Sequence, residues 1–173
     1  MASQSQIELG LMALCTAEIG STIFIMQNQN TQVPPTGSFC VLNVLNVIKI
    51  GQDAAFYKYL PIADKIQETI EGPRSLTISI NFYRDSAFDQ ILQLQASLKK
   101  QRVTELLYKN GLSFQNVSDI RNLTGIISAK WEERYQMDVN FYVTSTYSEQ
   151  LERIIKVPVK GNVDGIITSQ LIQ

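Results

Sequence analysis

Few residues of this 173-residue chain have the types and spacing that catalysis needs. The chain contains no histidine, which removes the commonest general base and the commonest metal ligand. Glu132 and Glu133 form a carboxylate pair, but neighbouring strand residues point to opposite faces and cannot act on one substrate. Asp85 and Asp89 would share a helical turn, where acidic residues near an N-terminus are ordinary. The sequence therefore predicts neither an enzyme nor a bound cofactor or metal.

The main basic cluster consists of Lys99, Lys100 and Arg102, where two predicted helical segments join. Cations near the C-terminus of a helix are ordinary, so a solvated helix end is one interpretation and a phosphate contact is the other. The net charge of −1 excludes a strongly basic body built for binding nucleic acid.

Cys15 and Cys40 lie in apolar runs and lack the spacing of metal ligands, which favours two reduced thiols in the core. The apolar stretch at 7–25 is interrupted by charged residues and glycines, so it is a poor membrane span. No Lys or Arg precedes Lys49, whereas a signal peptide has a cationic start. We expect a protein of a reducing compartment without a membrane partner.

Hydrophobic periodicity predicts the elements that would position these residues. Neighbouring strands, with the helices kept apart from them, indicate an α+β fold whose antiparallel or mixed β-sheet has helices packed on one face. The length favours a single domain over residues 1–173. The predicted helices lie at 5–18, 86–98 and 102–109, and the predicted strands at 21–26, 39–50, 75–83, 126–135, 136–143 and 154–159.

Several of these elements have patterns that predict which side chains share a face. The strand 39–50 is apolar on both faces, so it is covered by other layers or by a neighbouring subunit. The expected inward residues are Leu76, Ile78, Ile80 and Phe82 in one strand, Met137, Val139, Phe141 and Val143 in another, and Phe88, Ile91, Leu92, Gln95 and Leu98 in the second helix. In the strand 39–50, one face holds Leu42, Val44, Ile48 and Ile50, and the other holds Val41, Leu45 and Val47.

Two segments predict contacts between subunits. Residues 53–74 form a long arm between strands, either extended or as a weak helix through Ile62, Ile66 and Ile70, and the tail at 161–173 is apolar but irregular. A monomer would expose this apolar surface, whereas an oligomer buries it, and an arm or tail can add a strand to a neighbour. Aromatic residues are favoured interface anchors. The predicted subunit contacts are Trp131, Glu132 and Arg134, with a core position as the alternative for Trp131, and Phe56, Tyr57 and Tyr59 on the arm.

Four segments of the chain also resemble, in order, the motifs of a known family. They are the run from Gln27 to Phe39 with its PPTGSF ending, the strand SLTISINFY at 75–83, the turn SDIRNL at 118–123, and WEERYQMDV at 131–139. Together they resemble phage neck and tail terminator proteins over about residues 20–157. Arg84 stands where that family often has glycine, and neither the segment 53–72 nor the tail beyond 160 matches a motif of that family.

The resemblance implies a structural protein of the virion of a tailed phage, located in the tail and neck and assembled in the host cytoplasm. It implies a hexameric ring, a homo-oligomer at the head-proximal end of the tail. Such a ring ends polymerisation of the tail tube protein, joins the tail to the head-side connector or adaptor, and lets genomic DNA pass through its lumen without sequence recognition. The alternatives are a head-completion adaptor of the neck or a small nucleic-acid-binding domain, which would need a basic stripe with exposed aromatic residues.

Overall fold

The computed structural model describes residues 4–20, 23–26, 35–127, 130–152, 157–163 and 166–172. These residues form three helices and eleven strands, which confirms the predicted α+β class. In chain order the elements are α1 Gln4–Ile19, β1 Ile23–Met26, β2 Phe39–Lys49, β3 Ala54–Leu60, β4 Lys65–Tyr83, α2 Ala87–Ser97, α3 Gln101–Lys109, β5 Leu112–Val117, β6 Arg121–Asn122, β7 Gly125–Ile127, β8 Lys130–Glu132, β9 Arg134–Glu152, β10 Val157–Val163 and β11 Ile166–Ile172.

The chain divides into two compact units, which are described separately. The first unit contains residues 1–53 and 72–146, and the second contains residues 54–71 and 147–173. The main sheet has the order β1–β2–β4–β9–β5, with β6 also paired to β9. Strand β1 is parallel to β2, whereas β2 with β4, β5 with β9 and β6 with β9 are antiparallel.

One face of the sheet in the first unit packs against the helices and forms the core. The predicted inward residues of β4 and β9 are all buried there, so both alternation patterns are confirmed. Each such large apolar side chain contributes about 1.5–3 kcal/mol when it is fully buried. The core includes Leu11, Leu14 and Cys15 of α1, Ile91 and Leu94 of α2, Val103 and Leu107 of α3, and the inward rows of β4 and β9.

Helix α1 approaches the turn between α3 and β5 closely. A Cβ atom at Gly10 would lie 2.8 Å from Cβ of Asn110, so a larger residue would push the two elements apart. Cys15 of this helix and Cys40 of β2 are both fully buried and form no disulfide. Burial raises the pKa of the Cys15 thiol to about 12 and also raises that of Cys40, so both are unreactive core thiols, as predicted.

The predicted faces of β2 are wrong beyond Val44, because the strand contains a β-bulge. Val44 pairs with Ile78, and the register then skips Leu45. Val47 pairs with Leu76 and therefore shares the core-directed face of Val44, opposite to its predicted face. An extra residue in one strand moves every later side chain to the opposite face of the sheet. Because this segment is apolar at nearly every position, its sequence does not indicate where the extra residue lies.

The predicted buried stripe of α2 is only partly correct. Ile91 and Leu98 are buried as expected, but Phe88 and Leu92 are exposed by 45% and 41%. The helix instead buries Ala87 and Leu94, on the same face as Ile91, and the Phe88 ring packs against Tyr135 with centroids 5.1 Å apart.

The arm in the second unit is an antiparallel hairpin, in which β3 pairs with residues 65–71 of β4. Ile62 lies in the four-residue turn and is fully exposed, so the helical alternative is wrong. Residues of β9 extend the same sheet, with Thr69 and Ser148 hydroxyl groups 3.0 Å apart and Lys65 paired with Glu152 at 3.0 Å.

The C-terminal tail forms a second hairpin, in which β10 and β11 are antiparallel. The predicted strand at 154–159 is present from Val157, and residues 154–156 lie outside the described part of the chain. The tail beyond Gly161 was expected to be irregular, which is wrong because its residues pair across the hairpin.

Candidate assembly interface

The predicted strand at 126–135 is instead a short hairpin followed by the start of β9. Strands β7 and β8 are antiparallel, and Ile126 pairs directly with Trp131. The main chain leaves the strand conformation at Glu133, whose carbonyl accepts the Arg84 N–H at 2.8 Å. Trp131 and Ile126 are 75% and 64% exposed, so the core alternative for Trp131 is wrong. A paired apolar surface of this kind on a hairpin is typical of a protein contact.

Glu132 points away from Trp131 and is held by Arg84. Arg84 Nε donates to Glu132 Oε1 at 3.1 Å, and the Glu132 side chain is only 18% exposed. The Arg84 guanidinium also donates to the Pro35 carbonyl oxygen. Arg84 thus connects the segment before β2 with the hairpin that carries Trp131.

The backbone at Arg84 adopts a conformation that glycine adopts more easily. Its φ angle is 64°, in the left-handed region that costs other residues roughly 1–2 kcal/mol. The turn therefore adopts a conformation that favours glycine, although the Arg84 side chain makes the contacts with Glu132 and Pro35. A strained residue that is retained for its contacts is a candidate functional residue.

Four residues from distant segments form what we call the arginine–aromatic stack: Arg84, Phe39, Tyr83 and Arg134. The Phe39 and Tyr83 rings are stacked with centroids 4.6 Å apart. The guanidinium carbon of Arg84 lies 5.2 Å from the Phe39 ring centre, and that of Arg134 lies 5.3 Å from the Tyr83 ring centre. Burial raises the pKa of Tyr83, although the Arg134 charge opposes this shift. Each cation contacts the face of a ring, which is a favourable geometry.

Arg134 also belongs to the polar face of the sheet, opposite the helices. Its Nη2 donates to Asn81 Oδ1 at 3.0 Å, and Gln136 Nε2 donates to the Ser79 hydroxyl at 2.7 Å. Ser79 and Asn81 are only 3% and 6% exposed because these long side chains lie across them. Their polar atoms are therefore satisfied by hydrogen bonds within the face.

A second polar cluster surrounds Asp138 of β9. Its backbone N–H donates to the Ser118 hydroxyl at 2.9 Å, its Oδ1 accepts from Gln136 at 3.2 Å, and its carboxylate pairs with Arg121. Ser118 and Arg121 come from the third family-like segment and Asp138 from the fourth. The structure therefore brings these two segments into direct contact, which spacing along the chain did not predict.

A cleft of about 580 Å³ lies beside the hairpin. Trp131 forms one wall, and both cations and carboxylates reach it, so it suits a polar protein segment better than an anion. Its lining consists of Thr36, Arg84, Asp85, Lys130, Trp131, Glu132 and Glu133.

Two cations of the basic cluster pair with one buried carboxylate. Glu18, whose side chain is 2% exposed, accepts from Arg102 Nη2 at 2.5 Å and from Lys100 Nζ at 3.2 Å. Gln93 also donates to the Glu18 carbonyl oxygen at 2.6 Å, near the C-terminus of α1. Because a carboxylate at this end of a helix is unfavourable, the two cations stabilise the junction of the three helices. Lys99 is exposed.

The three predicted arm contacts all lie on β3 and are exposed. Tyr57 and Tyr59 share one face of the hairpin, and Phe56 lies on the other. The Tyr57 hydroxyl donates to Glu68 at 2.7 Å, which raises the pKa of Tyr57, and Tyr59 donates to Asp64 at 2.7 Å. The arm therefore presents aromatic surface on both faces.

A further ion-pair cluster of the first unit lies beside the end of β2 and residue 74 of β4. Arg74 donates to both carboxylate oxygens of Asp53, at 2.6 and 3.0 Å, and Lys49 lies 3.0 Å away. The Arg74 hydrogen bonds, followed by the Lys49 contact, lower the pKa of Asp53 to about 2. A Cβ atom at Gly72 would overlap Asp53 Oδ1, so a larger residue here would displace the Asp53 carboxylate.

The described residues contain no group of three or more potential metal-ligating Cys, Asp or Glu side chains. None of the helices they form has the length and hydropathy to span a membrane.

Sequence reasoning missed four of the residues on which this interface depends. Phe39, Tyr83 and Asp138 were quoted only as parts of motifs, and Arg84 only as a departure from one. Residues 27–34 of the first motif lie outside the described part of the chain. The signal that could have found Phe39, Tyr83 and Arg84 is that each lies at the end of a segment of the resemblance or directly after it.

Comparison with known proteins agrees with the family resemblance of the segments that meet at this surface. No curated protein matches the chain. A family model described as phage neck terminator protein matches residues 5–166, which is nearly the whole chain. The chain therefore belongs to the phage neck terminator family and is a structural component of the tail and neck of a phage virion.

Proposed function

We propose that this protein forms a ring, of six copies, at the head-proximal end of the tail. The ring stops polymerisation of the tail tube and joins the tail to the head-side connector or adaptor, and genomic DNA passes through its lumen. The observation that carries this proposal is the arginine–aromatic stack beside an exposed Trp131, because it joins three separate family-like segments at one surface. We also propose assembly in the host cytoplasm.

Trp131 and Arg134 are the proposed contacts with the neighbouring subunit in the first unit. Trp131 supplies exposed apolar area, and the pair of arginines fixes the backbone around it. Glu132 acts indirectly, because its carboxylate is occupied by Arg84. Phe56, Tyr57 and Tyr59 are the proposed contacts of the arm, whose two aromatic faces suit insertion between other chains.

The proposed mechanism is steric and needs no catalytic step. A ring bound to the last layer of the tube blocks further addition and presents a new face to the connector. We treat residues 1–173 as one terminator subunit, with the arm at about 53–74 and the tail at 161–173 as the parts that reach neighbouring proteins.

Weak contact with DNA fits this role, because DNA must slide through the lumen. The proposed phosphate contacts are Lys99, Lys100 and Arg102, whose three positive charges are reduced to a net +2 by Glu18 (3 − 1 = 2). A small net charge limits the number of counterions that binding releases, so affinity stays low. This charge balance disfavours the alternative of a nucleic-acid-binding domain.

The test is a tube-growth assay with tail tube protein, combined with light scattering to measure the mass of the assembled protein. Wild-type protein should arrest tube growth and give a six-protomer species, either in solution or on tube ends. Trp131→Ala should weaken both effects, whereas Leu9→Ala, which also removes an exposed apolar side chain, should not. Binding to the connector without any effect on tube growth would support the adaptor alternative and contradict this proposal.

A further inference from the structure

Among the described strands, the second half of β2 has a partner on one side only. Strand β1 covers only Phe39–Leu42 of β2, so residues 43–49 have β4 on one side and no described strand on the other. Leu45, Val47 and Ile48 are 52%, 56% and 52% exposed. Of residues 43–49 only Lys49 is charged, whereas free edges are normally guarded by charges or proline.

At the opposite edge of the same sheet, β5 likewise has a described partner on one side only. Strand β5 pairs only with β9 among the described strands, and residues 112–117 contain no charge and no proline. A groove of about 240 Å³ lies at the start of β5, with the 81% exposed Tyr108 on its wall. Apolar surface therefore adjoins this edge as well.

The two edges match each other in length and in the pattern of their faces. Seven free residues on β2 and six on β5 each span about 20 Å. Val47 shares the core-directed face of Leu76, and Phe114 shares that of Phe141 in β5 and β9. Paired across a subunit boundary, they would extend one apolar layer from copy to copy.

We propose that residues 43–49 of one copy pair with residues 112–117 of a second copy. The two edges lie on opposite sides of one sheet, so they cannot meet within a chain, and their contact is heterologous. Repetition of a heterologous contact closes a ring when the rotation allows it. This inference rests on the proposed ring and assigns the strands that build it.

The experiment uses two variants, each with one damaged edge. Val47→Lys adds a charge to the β2 edge and Ser113→Lys adds one to the β5 edge, both at exposed positions. Each variant alone should remain monomeric at concentrations where the wild type assembles. An equimolar mixture should form dimers and no ring, because one intact β2 edge still meets one intact β5 edge. Leu92→Lys, at an exposed position of α2, is the matched control and should assemble normally.

Amide hydrogen exchange on the assembled wild type gives an independent readout. Exchange should slow by about tenfold or more at some amides of both 43–49 and 112–117. Wild-type rings whose amides at both edges still exchange rapidly would overturn the edge pairing. Ring formation by the Val47→Lys variant would overturn it too, and both outcomes would leave the proposed function intact. A wild type that forms no ring in solution or on tubes would contradict both.

Discussion

The two faces of the sheet in the first unit come from the same strands but are held together differently. On the covered face Ile78, Ile80 and Phe82 are completely buried against the helices. On the open face the intervening Ser79 and Asn81 are nearly as buried, but by Gln136 and Arg134 through hydrogen bonds. Burial alone therefore does not distinguish the two faces, whereas the kind of contact does.

From this difference we expect the covered face to determine the stability of the subunit and the open face to determine its assembly. Burial of apolar side chains contributes a large free energy that depends little on orientation. A hydrogen bond contributes only about 0.5–1.5 kcal/mol net and depends strongly on geometry. We expect substitutions on the covered face to unfold the subunit. Substitutions on the open face should leave it folded and disturb its contacts with other copies.

The largest expected effect is that of Phe141→Ala on the covered face. Removing this fully buried ring should lower the free energy of unfolding by about 3–5 kcal/mol, because it leaves a cavity. Denaturation in urea measures the change. The neighbouring Tyr142→Ala, at a 40% exposed position on the other face, should cost much less; equal losses would refute the contrast between the faces.

Arg84 tests whether contacts at the edge of the open face outweigh backbone strain. Arg84→Gly relieves the positive φ angle but leaves Glu132 without its partner, so we expect a loss of roughly 1 kcal/mol in stability. Arg84→Ala loses the same contacts and keeps the strain, so it should be less stable than the glycine variant by about 1 kcal/mol. A glycine variant more stable than the wild type would mean that the contacts contribute less than the strain costs.

Arg134→Glu should leave the monomer folded and weaken ring assembly. Its partners Asn81 and Tyr83 lie on the open face, so the change in unfolding free energy should stay within about 1–2 kcal/mol. Sizing chromatography measures assembly, and Lys99→Glu controls for the same change of charge. Normal rings would remove Arg134 from the interface, and an unfolded monomer would show that the open face also carries stability.

The smallest expected effect is a loss of stability at low pH, and it arises at Asp53, outside the contrast between the two faces of the sheet. The pKa of Asp53 is lowered from 3.8 to about 2, so its ion pairs contribute stability above pH 3.8 that is lost as the pH falls toward 2. Asp53→Asn should therefore flatten the decline of stability over this interval, as measured by thermal unfolding at a series of pH values. An unchanged decline would mean that other carboxylates dominate.

Much of the covered face could be predicted, because alternation and helical periodicity depend on neighbours in the sequence. The rows of β4 and β9 followed from such patterns. The bulge at Leu45 could not, since a run that is apolar throughout has no mark of a change in register. The ion pairs of Glu18 with Lys100 and Arg102 could not be predicted either, because these partners lie more than 80 residues away in the sequence.

The interface was predictable only in part, for the same physical reason. Trp131 was expected as an interface anchor and is exposed. The arginine–aromatic stack joins residues near 39, 84 and 134, and only the strand register brings them together. The left-handed conformation of Arg84 was not predicted, because Arg84 was noted only as a departure from the glycine of the family motif.

The exposed hairpin also provides an intrinsic fluorescence signal for binding. The sequence contains one tryptophan, so the long-wavelength fluorescence comes from Trp131 alone. Because this side chain is already 75% exposed, unfolding the subunit changes its surroundings little. Burial against another protein would shift its emission to shorter wavelengths. Docking can thus be followed in unlabelled protein by tryptophan emission, while unfolding is followed separately by circular dichroism.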